Sequence, residues 1–374
     1  MLELKCTYVK QLLKRIPIEK QIINFALHFK TLMTIVSHGS ALASVFNANA
    51  TFAIITHSNP DGDTIGSALA LAEVVNRLGN RAKVLIPNMY PGFLAWLPGI
   101  ADAIVFDKQP RLAKETIQEA RYIVSVDHNA LSRSGNIHED LLMSAAIRIM
   151  IDHHIDPDLE AYDLSYWDVN VSSTAELVYR LIAELGYTDL ISLQVAENLY
   201  VGIMTDTGSF KYSIRNASTF RVAAALIERG VDGERLNRLI YDTFSENRLR
   251  LLGFSILERM LVLPQYKTAI ISLSLTDLKD FGYQIGDTEG LSNYPLSMQH
   301  INLAVLVTER KDQIRLSFRS KGKFSANELA RQHFDGGGHP NAAGGTSKAS
   351  LEETMNKLLA ILPQYAEQLD YVYQ

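Results

Sequence analysis

His57, Asp61 and Asp63 stand within HSNPDGD, Asp127 opens DHN, Asp152, His153 and His154 form DHH, and Asp206 lies in TDTGSF. Carboxylates bring hard oxygen donors and imidazoles borderline nitrogen donors, a mixture that suits divalent cations of the manganese type. Each motif alone has an ordinary explanation, because Asn, Pro, Asp and Gly are the residues of turns. Their coincidence carries the argument, since charges of this kind are costly to bury unless paired or metal-bound. Phosphoester hydrolysis is one chemistry that cations held by such a set could serve. Negative charge develops there on both the attacking and the leaving oxygen, and two cations about 3.5 to 4 Å apart stabilise both.

The elements that must position these residues follow from hydrophobic periodicity. From residue 52 short β-branched runs alternate with helical patterns: TFAIITH, RAKVLIP, AIVF, YIVSVD and IRIMID as strands, and SALALAEVVNRLG, TAELVYRLIAEL and LQVAENLYVGIM as helices. That alternation predicts βαβ units on a parallel sheet, with Gly79 at a helix C-terminus. Three of the strands end in HSNPDGD, DHN and DHH, and ligands in open parallel sheets bind beyond such carboxyl ends. After residue 215, ASTFRVAAALIERG and ERLNRLIYDTFSENRLRLLGFSILERM predict a nearly continuous helical connector. From about 265 KTAIISLS, INLAVLVTER and QIRLSFRS read as strands, SANELARQHF as a helix, and GGGHPNAAGG as a glycine-rich turn.

The expected class is therefore α/β, a parallel-sheet catalytic domain joined by a helical connector to a smaller α/β C-terminal domain. The expected boundaries are 1–32 for an N-terminal extension, 33–215 for the catalytic domain, 216–262 for the connector and 263–374 for the C-terminal domain. The 374 residues exceed what one core usually holds. A net charge of −5 argues against an overall electrostatic grip on long nucleic acid. Cys6 is the single cysteine, so no disulfide framework or cysteine-ligated zinc forms within the chain, and a reducing cytoplasm fits. No run reaches the ~20 apolar residues of a membrane span. The first residues look unlike a secretory signal, and the ordinary-looking segment opened by Met33 suggests that translation starts there. N-terminal sequencing of the native protein tests that start, and peptides upstream of Met33 would refute it.

These motifs resemble those of the DHH phosphoesterase family over nearly the whole chain after its N-terminal segment. The resemblance implies that His57, Asp61 and Asp127 hold one metal and Asp63, Asp127, His153 and Asp206 the other, with Asp127 bridging. It implies two divalent ions, usually Mn²⁺, with Mg²⁺ or Co²⁺ as substitutes. His154 would then face the substrate phosphate and Asp152 would orient the site from behind, while His128 would be an incidental neighbour.

The run Gly336, Gly337, Gly338, His339, Asn341, Ala342, Ala343, Gly344 resembles the substrate-binding motif of the smaller domain in many family members, and Arg319 matches a phosphate-contacting position. Glycines there let backbone approach a ligand and present amides to an anion. The motif argues against pyrophosphate as the main substrate. What the resemblance then implies is a compact enzyme that hydrolyses short oligoribonucleotides from an end, or 3′-phosphoadenosine 5′-phosphate, with closure of the small domain excluding long chains. The alternatives are a linear or cyclic dinucleotide phosphodiesterase and, in another class, a non-catalytic nucleotide sensor. The partners implied are short RNA or a small nucleotide, with no membrane and with a homodimer left open.

Overall fold

A computed structural model describes residues 38–214 and 216–371. The expected start at Met33 and the extension before it lie outside them. The chain divides into two compact units, one holding Leu97–His153 and Pro157–Val231 together with the residues up to Met89, the other holding Tyr90–Trp96, His154–Asp156 and the residues from Asp232 onward.

The first unit runs α1 (His38–Phe46), β1 (Thr51–Ile55), α2 (Gly62–Arg77), β2 (Arg81–Ile86), β3 (Ile104–Val105), α3 (Pro110–Glu119), β4 (Tyr122–Val126), α4 (His138–Met143), β5 (Ile147–Asp152), β6 (Leu164–Trp167), α5 (Thr174–Glu184), α6 (Leu193–Asp206) and α7 (Ser218–Glu228). Its six strands are all parallel, in the order β3-β2-β1-β4-β5-β6. Strand order reverses between β1 and β4, which makes their carboxyl ends the switch point where such sheets bind ligands. The strands read as unbroken apolar runs because both sheet faces are covered. Ala53, Ile55, Ile123 and Met150 pack with Ala113 and Ile117 of α3.

Helix α2 is nearly all buried. It ends where the sequence suggests, with Gly79 in the left-handed region at φ 89°. It crosses α6 so closely that a Cβ on Gly66 would lie 2.3 Å from the Asn198 carbonyl oxygen. That atom is backbone and cannot swing away. Gly66→Ala is therefore expected to cost about 2–3 kcal/mol through overpacking, lowering the melting temperature of this unit by roughly 5–10 °C. Thermal unfolding checks this, and an unchanged transition would mean that the two helices can separate freely.

The second unit contains α8 (Gly233–Tyr241), α9 (Glu246–Glu258), β7 (Met260–Leu263), β8 (Thr268–Leu273), α10 (Leu275–Asp280), β9 (Leu303–Glu309), β10 (Ile314–Ser320), α11 (Ala326–His333), β11 (Gly337–His339), β12 (Ala342–Ser347) and α12 (Leu351–Ile361). Its mixed sheet has the order β11-β12-β10-β9-β8-β7, with β8 and β9 parallel and the other neighbours antiparallel. Val305, Val307, Leu316 and Phe318 form its core with Leu329 and Phe334 around α11 and Leu358 of α12.

Several elements differ from the sequence reading. The long helical stretch breaks after Tyr241 and restarts at α9, whose N-cap Ser245 accepts a hydrogen bond from the Arg248 backbone N–H. Strands β6 and β7 were not expected. The glycine-rich turn is instead a pair of antiparallel strands, with Gly337 opposite Gly344 and His339 opposite Ala342. Among the described residues no helix is long and apolar enough to cross a membrane.

Candidate metal centre

The loop after β1 carries His57 into the first unit's switch point, and α2 begins there with Asp61 as its N-cap. One Asp61 oxygen accepts the backbone N–H groups of Asp63 and Thr64 at 3.0 and 3.2 Å. The other lies 3.9 Å from His57 Nε2. The His57 ring is fixed from behind, because its Nδ1 lies 2.9 Å from the Ser58 carbonyl oxygen. A carbonyl can only accept, so Nδ1 carries a hydrogen and Nε2 is the nitrogen left facing the carboxylates, where it can hold a proton or a cation. Metal-ligating imidazoles are held in this way.

Asp127 immediately follows β4 and sits in the left-handed region at φ 62°, a conformation uncommon for a residue with a Cβ. Its two oxygens are divided. Oδ2 lies 3.5 Å from His57 Nε2, whereas Oδ1 lies 3.5 Å from His153 Nε2. His153 Nε2 also stands 3.8 Å from Asp63 Oδ2 and 3.7 Å from Asp206 Oδ2. Among the groups able to hold a cation are His57 with Asp61 and Asp127, and Asp63 with His153 and Asp206. Asp127 reaches both.

A third element completes the second group. The N-terminus of α5 points at Asp63, whose oxygens accept the backbone N–H groups of Thr174 at 2.7 Å and Ala175 at 2.9 Å. The Thr174 hydroxyl donates to Asp127 Oδ1 at 2.8 Å. Asp206 closes α6 at its carbonyl end, where the helix dipole disfavours an anion and favours a cation beside it.

The electrostatics point the same way. Burial first, and then the charges of Asp127, Asp206 and Asp61, push the Asp63 carboxyl well above its usual range against the opposing Ala175 N–H. Burial pulls His57 down, but its hydrogen bond to Asp127 and the charge of Asp61 outweigh this and leave its pKa raised. His153 behaves alike, with Asp206 and Asp127 overcoming burial and the Val171 backbone accepting from its ring. So much crowded negative charge around two pre-oriented imidazoles fits divalent cations, whose charge reverses the penalty. The donor set suits two of them.

His128, which sequence reasoning left out, is fully buried, with Nδ1 3.0 Å from the Val126 carbonyl oxygen. Burial, aided by Arg133 and His57, lowers its pKa to about 3, so it is a neutral core residue. Asp152 ends β5 and is also fully buried. Thr174 and the turn before it escaped the sequence reading, although Ser173-Thr174-Ala175-Glu176 carries the S-x-x-E spacing that marks a helix start.

In the second unit the glycine pair of strands packs against α11. Gly338 has φ 145° and a Cβ there would lie 2.5 Å from the Ala342 carbonyl oxygen, so only glycine fits this turn of the strand. The same holds at Gly336, where the distance to the Gly344 carbonyl oxygen would be 2.1 Å. Arg319 pairs with Ala342 across β10 and β12, and its Nη1 donates to the Phe318 carbonyl at 3.0 Å. The Asn341 amide donates to Ser320 Oγ, Gly322 O and Phe324 O at 2.9 to 3.2 Å, which fixes the loop after β10. The buried His154 is counted with this unit, and its ring stacks on that of His339 at 4.2 Å.

A parallel α/β sheet with a carboxylate and imidazole cluster at its switch point, and a second mixed-sheet unit, define a two-unit α/β protein whose cluster could hold metal ions. Residues 51–203 match the model described as the DHH family, N-terminal domain, and residues 267–368 match the DHHA1 domain. The chain is 30% identical over 306 residues to the probable bifunctional oligoribonuclease and PAP phosphatase NrnA of Streptococcus mutans, covering 81% of this chain and 91% of that protein. It is 26% identical to the cyclic-di-AMP phosphodiesterase GdpP of Bacillus subtilis, covering 89% of this chain and 50% of that longer protein. Among solved structures, an exopolyphosphatase-related protein from Bacteroides fragilis is 36% identical, with TM-score 0.84, covering 90% of this chain and 98% of that one. The chain belongs to the DHH family.

Proposed function

We propose that this protein is a metal-dependent phosphoesterase that hydrolyses short oligoribonucleotides from an end and 3′-phosphoadenosine 5′-phosphate. The observation that carries the reading is the division of Asp127, one oxygen toward His57 and the other toward His153. A carboxylate placed so serves both cations of a pair. When bound, two divalent ions neutralise charge on the attacking and leaving oxygens of the phosphoester. Manganese suits the mixed oxygen and nitrogen donors, with magnesium or cobalt able to replace it.

The chain's own groups do the remaining work. His57 and His153 present Nε2 from rings held at their other faces by backbone carbonyls. The Thr174 hydroxyl and the α5 N-terminus keep Asp127 and Asp63 in register. His154 is assigned to the substrate phosphate, and Asp152 to orienting the cluster from the end of β5. Arg319, His339 and the backbone of Gly336, Gly337 and Gly338 are assigned to the nucleotide, within a loop frame that Asn341 secures. A negatively charged chain with a single cysteine suits work in the cytoplasm on small substrates.

A dinucleotide phosphodiesterase is the second reading, favoured by the similarity to GdpP. A sensor without catalysis is disfavoured, because no donor of either group is replaced. The discriminating experiment competes short RNA, 3′-phosphoadenosine 5′-phosphate and a cyclic dinucleotide in one reaction with Mn²⁺. Preferential loss of the first two supports the proposal, and preferential loss of the cyclic dinucleotide supports the second reading.

Two further outcomes follow. Arg319→Ala removes a charge-assisted contact of about 1.5–3 kcal/mol, so KM should rise roughly tenfold to a hundredfold while kcat changes little. Steady-state kinetics on a dinucleotide checks this, and an unchanged KM would place Arg319 outside the substrate contact. The second outcome concerns pH. His57, His153 and Asp63 all hold protons more tightly than their ordinary pKa values imply, and a cation must displace those protons. Affinity for Mn²⁺ should therefore weaken as pH falls, beginning above the ordinary histidine value of 6.5. Calorimetry at pH 6.5 in two buffers of different ionisation enthalpy should register proton release, and binding without it would contradict the assignment.

A further inference from the structure

The carboxylate of Glu176 is fully buried on the first turn of α5 and belongs to neither cation group. Its Oε2 accepts the Ser172 backbone N–H at 3.0 Å, the Ser172 hydroxyl at 2.7 Å and the Thr219 hydroxyl at 2.8 Å, while Oε1 accepts the Ser218 hydroxyl. None of these partners is cationic. Burying a carboxyl group without a cationic partner is expensive, and among the described residues three hydroxyls, one amide and the α5 N-terminus surround it. Helix capping needs far less, since Ser173 already caps α5 by accepting the Glu176 backbone N–H at 3.1 Å.

The placement of the four donors suggests what the expense secures. Ser172 and Ser173 lead directly into Thr174 and Ala175, whose N–H groups hold Asp63 and whose Thr174 hydroxyl holds Asp127. Ser218 and Thr219 open α7, the far end of the segment that begins at Asp206. That segment contains consecutive left-handed residues, Gly208, Ser209 and Phe210, a strained path that its surroundings must hold. One carboxylate thus ties the turn that orients Asp63 to the segment that leaves Asp206.

We propose that Glu176 is a positioning residue for the cation held by Asp63, His153 and Asp206, acting by locking the Ser172–Thr174 turn to the start of α7. This rests on the two-cation reading above. It predicts a graded effect, because the group of His57, Asp61 and Asp127 meets that turn only through the Thr174 hydroxyl on the shared Asp127, whereas the other group meets it there and also through both backbone N–H groups that hold Asp63.

Mn²⁺ titration of the metal-free full-length protein, followed by calorimetry and by the electron paramagnetic resonance of bound manganese, tests it. The wild-type protein should load two ions and develop the spectrum of a coupled pair. In Glu176→Gln one ion should bind about 10–100-fold more weakly, the range for losing an outer partner of a metal ligand. The other should stay within a few-fold of wild type, and the coupled spectrum should appear only at higher manganese. Ser172→Ala, which keeps the backbone N–H and removes one hydroxyl, should weaken the same ion to a smaller degree, and it remains informative if the glutamine variant does not fold. Equal weakening of both ions, or unchanged loading in either folded variant, would overturn the positioning role and leave the two-cation reading intact. Failure of the wild-type protein to load two ions would instead overturn the reading beneath it.

Discussion

Asp127→Ala should lower kcat by at least about a thousandfold, which corresponds to ~4 kcal/mol of lost transition-state stabilisation. The size follows from geometry. Each Asp127 oxygen lies 3.5 Å from the Nε2 of a different histidine, so the substitution removes a donor from both cation groups at once. Asp61→Ala removes a donor from one group only, on a side chain that is about half exposed, and should cost less. Circular dichroism should be unchanged in the Asp127 variant, because the residue follows β4 and contributes no apolar core. Turnover of short RNA measures the effect. Activity within tenfold of wild type would mean that Asp127 is no shared ligand.

The second large effect concerns stability. In the metal-free protein Asp63, Asp127 and Asp206 crowd one another, and Asp63 responds with a strongly raised pKa. A ligand that binds only the folded state at one hundred times its dissociation constant adds about 2.7 kcal/mol. Two ions therefore add roughly 5 kcal/mol, and the melting temperature of the first unit should climb by about 10–20 °C in saturating Mn²⁺ at neutral pH. Chelation should reverse the gain. Because the ions compete with protons, the gain should shrink as pH falls below the raised histidine values. A metal-independent transition in differential scanning calorimetry would contradict a site of this kind.

The first unit was legible in the sequence because its signals were redundant. Apolar runs buried on both faces marked the strands, and the turn residues after them carried the acids and imidazoles to one edge. Asp63 and Asp206 sit on helices, yet their motifs were readable because each lies near a strand end or a helix terminus. Thr174 and Glu176 were not legible as part of the site. Their importance comes from a contact made 111 residues away in sequence, between the Thr174 N–H and Asp63, and hydroxyls at a helix start carry no mark of such a partner. The glycine pair of strands was misread as a turn because glycine has poor strand propensity. What makes it a strand is close backbone approach, as a Cβ on Gly336 would meet the Gly344 carbonyl oxygen and one on Gly338 the Ala342 carbonyl oxygen. The break before α9 was missed because Ser245 looks like any polar residue until its side chain is seen to cap the helix.

The most direct test of the central claim is turnover of a short oligoribonucleotide and of 3′-phosphoadenosine 5′-phosphate as metal-free protein is titrated with Mn²⁺. The two-cation account predicts negligible hydrolysis without metal and activity that follows occupancy of the second ion, saturating at two per chain. Full activity at one ion per chain, or hydrolysis that survives complete chelation, would contradict it.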